Sequence, residues 1–229
     1  MGKHEEIGSH VISQLGGFTF HLDTVLVTWV IIVLILLTVM ALKRRISVVP
    51  GKLQVCFEVL IMYLDGIVVE NMGEKGRKFM PLVVGLFIFI FISNQIGLLP
   101  SPHSLLKSPT ADLNTNLGLA LFVFILVQIV AIKSKGILGY LKHYCQPMIF
   151  FLPINIIEEM AKPITLSFRL FGNIMAGEVV IYVLGLLVPY VLPAGWLLFS
   201  VFIGLIQAFI FTMLTISYLS SAMAEHEGQ

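Results

Sequence analysis

From Pro163 to Ala224 the chain runs for 62 residues with only two charged side chains, Arg169 and Glu178. A stretch so long and so poor in charge reads as helix embedded in lipid, and it dictates the rest of the fold. Pro189, Pro193 and Gly195 divide it into two segments, 163–188 and 195–224. Each is long enough to cross a bilayer with strong tilt. The composition agrees. Charged residues make up 12% of the 229 and hydrophobic residues 58%, with a mean hydropathy of +0.98. Soluble domains carry about 25% charged residues. The chain is therefore expected to be an all-α polytopic membrane protein forming one integral membrane domain.

Three more uncharged runs precede it. Thr24–Leu42 has 19 residues, Phe79–Pro100 has 22 and Leu113–Ile132 has 20. Each is long enough for a helix across a hydrocarbon core about 30 Å thick. The first does not read as a cleaved signal, because Glu5 and Glu6 precede it and no basic segment does. Between the first two runs, residues 51–78 carry Leu53, Phe57, Leu60, Ile61, Leu64 and Ile67 at helical spacing, mixed with Lys52, Glu58, Asp65 and Glu70. That pattern predicts an amphipathic helix lying in the membrane interface. Residues 146–162 hold a 12-residue apolar run interrupted by Pro153, too short to span, and are expected to be re-entrant or interfacial. The expected total is five crossings.

Positive charge sets the orientation. Eleven of the Lys and Arg residues fall in the two loops that would lie inside, against Lys3 and Lys107 outside. The positive-inside rule then places the N-terminus outside and the C-terminus in the cytoplasm. Nothing in the charge pattern points to nucleic acid. Cys56 and Cys145 lie far apart and are expected to be reduced apolar fillers. The sequence has no H-E-x-x-H, no C-x-x-C and no phosphate-binding glycine loop, so neither metal nor cofactor is expected.

The intramembrane polar residues carry the functional signal. An arginine at mid-span costs about 2.5–3.5 kcal/mol on insertion scales. Arg169 lies seven residues past Lys162, about 10 Å of helix, so snorkelling to the interface is one reading. Arg169, Gly172, Asn173, Ala176, Gly177 and Val180 share one helix face. Small residues let another backbone come close. The face fits either intrachain packing or contact with a separate partner to which Arg169 is presented. Glu178 lies nine residues on, about 180° round the helix, so the two charges do not pair along it. Such an acid reads either as a neutral structural group or as one that exchanges protons.

On the last helix, Ser200, Gly204, Gln207 and Phe211 share a face, with Thr215 near. Gln207 fits a glue between helices, a support for Arg169, or part of a wet path. Asp112, Asn114, Thr115 and Asn116 crowd the outer mouth of the third span, as helix caps or as a vestibule. Glu158 and Glu159 lie at the inner side, as solvated acids or as the inner mouth of a proton path.

The stretches "KPITLSFRLFGNIMAGEVV" (162–180), "GLIQAFIFTMLTISYLSSA" (204–222) and "PTADLNTNLGLAL" (109–121) resemble subunit a of F-type ATP synthases of bacterial type. The resemblance extends from Thr24 to near the end. It implies that Arg169 faces the ionisable carboxylate of a rotating c-subunit ring. It implies that Asn173, Glu178 and Gln207 line the proton route, with Asp112 near the outer entrance and Asn116 beside that path. Two offset half-channels would couple proton flow to rotation and ATP synthesis. The implied partners are the c-ring, the b-subunit stator stalk and the rest of the complex in the bacterial inner membrane. No catalytic chemistry is implied for this chain. Two departures stand out. Ser200 occupies a position where some members have a histidine, and Glu158 and Glu159 are offset from the inner acid of some members. A transporter acting alone is the competing class, but internal repeats, its usual signature, are not found.

Overall fold

The computed structural model describes residues 12–15, 18–44, 51–98, 108–144 and 149–224. Pro100 at the end of the second apolar run, Lys107, Cys145 and the C-terminus lie outside them. The described part of the N-terminal segment forms a short antiparallel hairpin, β1 (Ile12–Leu15) with β2 (Phe18–His21), in the register Ile12 to His21 and Leu15 to Phe18. The remainder is helical: α1 (Leu22–Arg44), α2 (Lys52–Met72), α3 (Met80–Ile96), α4 (Leu113–Tyr144), α5 (Leu152–Leu187) and α6 (Val191–Met223). Five of the helical segments are long and apolar enough to cross a membrane, with α2 outside that group. The protein is an all-α polytopic integral membrane protein with a small β appendage.

α1 is apolar on every side, which fits a helix surrounded by lipid. Leu26, Trp29 and Val30 point outward, while Val27 and Ile31 turn inward. The bundle core is built from Leu64 and Val68 of α2, Val83 and Ile90 of α3, Val123 of α4, Leu166 and Leu170 of α5, and Phe211, Ile216 and Leu219 of α6. Lipid tails are as apolar as these side chains, so close packing rather than escape from water holds the helices together. Hydroxyls inside the apolar helices turn back on their own backbone. Thr212 donates to the Ala208 carbonyl at 2.8 Å and Thr215 to that of Phe211 at 3.0 Å.

α3 and α6 come close together at Gly204. A methyl group there would lie 3.0 Å from Gln95 Nε2 and 3.2 Å from Asn94 Cβ. Asn94 Nδ2 uses the gap to donate to the Gly204 carbonyl at 3.2 Å, and Gln95 Nε2 donates to the Val201 carbonyl at 3.2 Å. α2 ends at Gly73, whose φ of 65° suits glycine. A 3-10 turn over Glu74–Phe79 follows, where Arg77 meets both Asp65 and Glu74.

Three boundaries differ from the sequence expectation. From Leu152 on, the segment expected to stand apart at 146–162 supplies the first turns of α5, which passes through Pro163 without interruption, while 146–148 lie outside the described residues. The helix starts at Leu152, with Pro153 in its first turn, where a missing N–H leaves nothing unsatisfied. Pro163 withholds only one hydrogen bond, a loss that membrane helices tolerate. α6 begins at Val191 rather than 195, with Pro193 in its first turn. α4 continues past Ile132 to Tyr144 and kinks at Gly136, which adopts φ 71° and ψ 165°.

Candidate functional site

Arg169 lies midway along α5 with its side chain exposed. Among the described residues it makes no hydrogen bond and no ion pair. Its face is equally open. Gly172 and Ala176 are exposed, and a methyl group built at Gly172 or Gly177 would meet nothing within 4 Å. Among the described residues, no atom would touch a methyl group at either glycine, although Gly177 is half-buried. The adjoining side of the same helix is closed, with Leu166, Ser167 and Leu170 buried.

Glu178 is half-buried and lines a cavity of about 190 Å³ between α3, α5 and α6. At about 30 Å³ each, some six waters would fit there. Asn173 and Gly177 share its α5 wall, Ser200 and Trp196 its α6 wall, and Asn94 its α3 wall. Glu178 and Ser200 are thus brought to one space, and the departure at Ser200 falls where there is room for solvent. Arg169 is not among the lining residues. Asn173, Ala176 and Gly177, which share the face of Arg169, do line the cavity, so that face borders it one to two turns beyond the arginine.

The end of α3 and the start of α4 are joined by a buried polar network. Asn94 Oδ1 accepts from Thr110 Oγ1 at 2.9 Å, and Asn116 Nδ2 donates to the Thr110 carbonyl at 2.7 Å. Ser108 Oγ donates to the Ser93 carbonyl at 2.7 Å and lies 2.6 Å from Thr110 Oγ1. Asp112 is buried and caps α4, its Oδ1 accepting from the Asn114 N–H at 2.9 Å. Through Asn94 this network reaches the cavity wall. Asn94, Thr110 and Ser108 were not singled out in the sequence, although "SNQ" at 93–95, polar inside an apolar span, is the kind of signal that marks them.

Gln207 is buried on α6, and its Nε2 has no hydrogen-bond partner among the described residues. No hydrogen bond joins it to Arg169. Asn116 Oδ1 and Trp196 Nε1 are buried in the same condition. Buried polar atoms are rarely left so in native proteins.

Near the start of α5 the two adjacent acids part company. Glu158 is exposed. Glu159 is enclosed in a network, with its Oε1 against Lys162 Nζ and its Oε2 accepting from Gln128 Nε2 at 3.1 Å. Tyr140, beyond the Gly136 kink, donates its hydroxyl to Gln128 Oε1 at 2.7 Å. Lys162 Nζ also lies 5.4 Å from the ring centroid of Tyr218 on α6.

Comparison with known proteins follows the same lines. Residues 25–220 match the family described as ATP synthase A chain. The chain is 45% identical over 225 residues to ATP synthase subunit a of Desulforamulus reducens, covering 93% of this chain and 83% of that one. It is 40% identical over 204 residues to ATP synthase subunit a of Moorella thermoacetica, covering 89% and 92%. It is 44% identical over 226 residues to ATP synthase subunit a of Acidothermus cellulolyticus, covering 96% and 83%.

Proposed function

The chain belongs to the ATP synthase A chain family, and we propose that it is the stator subunit that carries protons past a rotating ring of c-subunits. The observation that carries this reading is the open face of α5. Arg169 is exposed there beside Gly172 and Ala176, with no intrachain partner among the described residues. An unpaired guanidinium at membrane depth calls for a partner with a carboxylate. The small residues leave a smooth track for that partner to slide along.

Protons enter from outside by way of the cavity. Asn116 is linked through Thr110 to Asn94 in its wall, Asp112 caps the neighbouring helix, and Glu178, Asn173 and Ser200 line it, with Gln207 buried on α6. A c-subunit carboxylate takes the proton, becomes neutral and can then rotate into lipid. On the inner side, Glu158 and Glu159 are the acids near the exit. Arg169 favours the ionised carboxylate and blocks direct proton passage between the two half-channels. Each elementary charge moved across 100 mV supplies about 2.3 kcal/mol. The b-subunit stalk would hold this chain still while the ring turns. The setting is a bacterial inner membrane, with the N-terminus outside.

The test is proximity in the assembled complex. With Ala176→Cys in this chain, single cysteines are scanned along the carboxylate-bearing helix of the small proteolipid subunit. Mild oxidation should give a disulfide-linked pair at one or two positions near the carboxylate. Cross-links to other subunits only, or none, overturn the reading.

A further inference from the structure

α5 carries two cations, Lys162 and Arg169. They are seven residues apart, so they lie about 10 Å apart along the axis and within about 20° of each other round it. Both therefore serve the face read above as the track for a partner's carboxylate, and the inference rests on that reading. Their surroundings differ. Arg169 is exposed and has no ion pair among the described residues, whereas Lys162 is paired with Glu159 and packed over Tyr218. Glu159 is itself fixed from α4 by Gln128 at 3.1 Å, and the Gln128 amide is fixed in turn by Tyr140 at 2.7 Å. The kink at Gly136 lets Tyr140 fold back to a residue twelve positions earlier on its own helix.

We propose that this network neutralises Lys162 and holds it away from the track, so that a passing carboxylate meets one competing cation on α5 and not two. Glu159 is then a positioning residue rather than the acid that passes protons out, and Gln128 and Tyr140 act through it. Lysine is a compact charge on a flexible four-carbon stem. Released from Glu159, it can reach along the face toward Arg169, capture the carboxylate after Arg169 lets it go, and stall the ring. The exposed Glu158 is left as the inner acid free to exchange protons with water.

The experiment is ATP-driven proton pumping in inverted membrane vesicles containing the whole complex, with rates normalised to assembled complex. Glu159→Gln should lower the initial rate about tenfold, the scale of one lost charged hydrogen bond. Glu159→Gln combined with Lys162→Gln should recover most of that loss, because the freed cation is gone. Glu159→Asp, which keeps the charge, should stay within about threefold of the parent. If Glu159→Gln fails to assemble while the double variant assembles and pumps, the support is the same. A double variant as slow as Glu159→Gln, or a Glu159→Gln chain that pumps normally, overturns the proposal. Arg169→Ala, run alongside, separates the two claims. If it still pumps, the reading of the α5 track has failed. If it is inactive while the double variant shows no recovery, only the role given to the network has failed.

Discussion

Arg169 and Glu178 illustrate how one helix can hold two charges with unrelated surroundings. Nine residues turn the side chain through about half a circle, and Glu178 lines the cavity while Arg169 is exposed and outside its lining. The sequence was enough to separate them, because the helical period alone decides it. It was not enough to choose between packing and partner for the glycine face, since small residues serve both. The empty space beyond Gly172 means only that no described residue packs there, and the partner is the reading proposed above. Two expectations belong at this scale. Gly172→Leu should lower coupled proton transport by about tenfold or more, by filling the track. The complex should still assemble, because no neighbour within the chain is displaced, and immunoblots of the membranes check this. Glu178→Gln should slow proton-driven ATP synthesis about a hundredfold, as expected when a proton-transfer group is lost. Glu178→Asp should retain a measurable part of the activity. Equal loss in both variants would point to packing rather than proton transfer.

At the scale of elements, the informative places are those where prolines and glycines were misleading. Pro163 looked like a boundary and sits inside a 36-residue helix, whereas Pro153 marks the true start. Proline removes one donor in either place, and only the structure tells whether that donor was needed. The hairpin between α5 and α6 is closed by Tyr190, which is exposed and adopts φ 75° and ψ −54° while Val191 N–H donates to the Pro189 carbonyl at 3.1 Å. This γ-turn of positive φ is strained for a residue with a Cβ. Tyr190→Gly should relieve about 1 kcal/mol, partly offset by the added freedom of glycine when unfolded. Thermal unfolding of the purified complex should show loss of this subunit about 1–2 °C later, and no loss of stability. The contact of α3 with α6 at Gly204 is the opposite case. Gly204→Leu should force the helices apart at Asn94 and Gln95 and cost about 1–3 kcal/mol, read as less subunit in the membrane.

For the whole molecule, the crossings were legible because an apolar run of sufficient length has few other fates in a chain this poor in charge. The network around Glu159 was not legible. Gln128, Tyr140 and Glu159 sit on separate turns, and only the Gly136 kink brings Tyr140 back to Gln128. The network at the start of α4 was half legible, with Asp112 and Asn116 evident at a helix start and Asn94 hidden in an apolar span. The proposed orientation makes its own prediction, that a reporter fused after Gln229 is read in the cytoplasm. The central claim is that Arg169 acts on a partner's carboxylate through a planar, permanently charged fork that lysine cannot reproduce. The most direct measurement is ATP-driven proton pumping by inverted vesicles whose assembled complex carries Arg169→Lys. Pumping should be abolished although the positive charge is kept and the complex assembles. Pumping at a rate near that of the parent would contradict the claim.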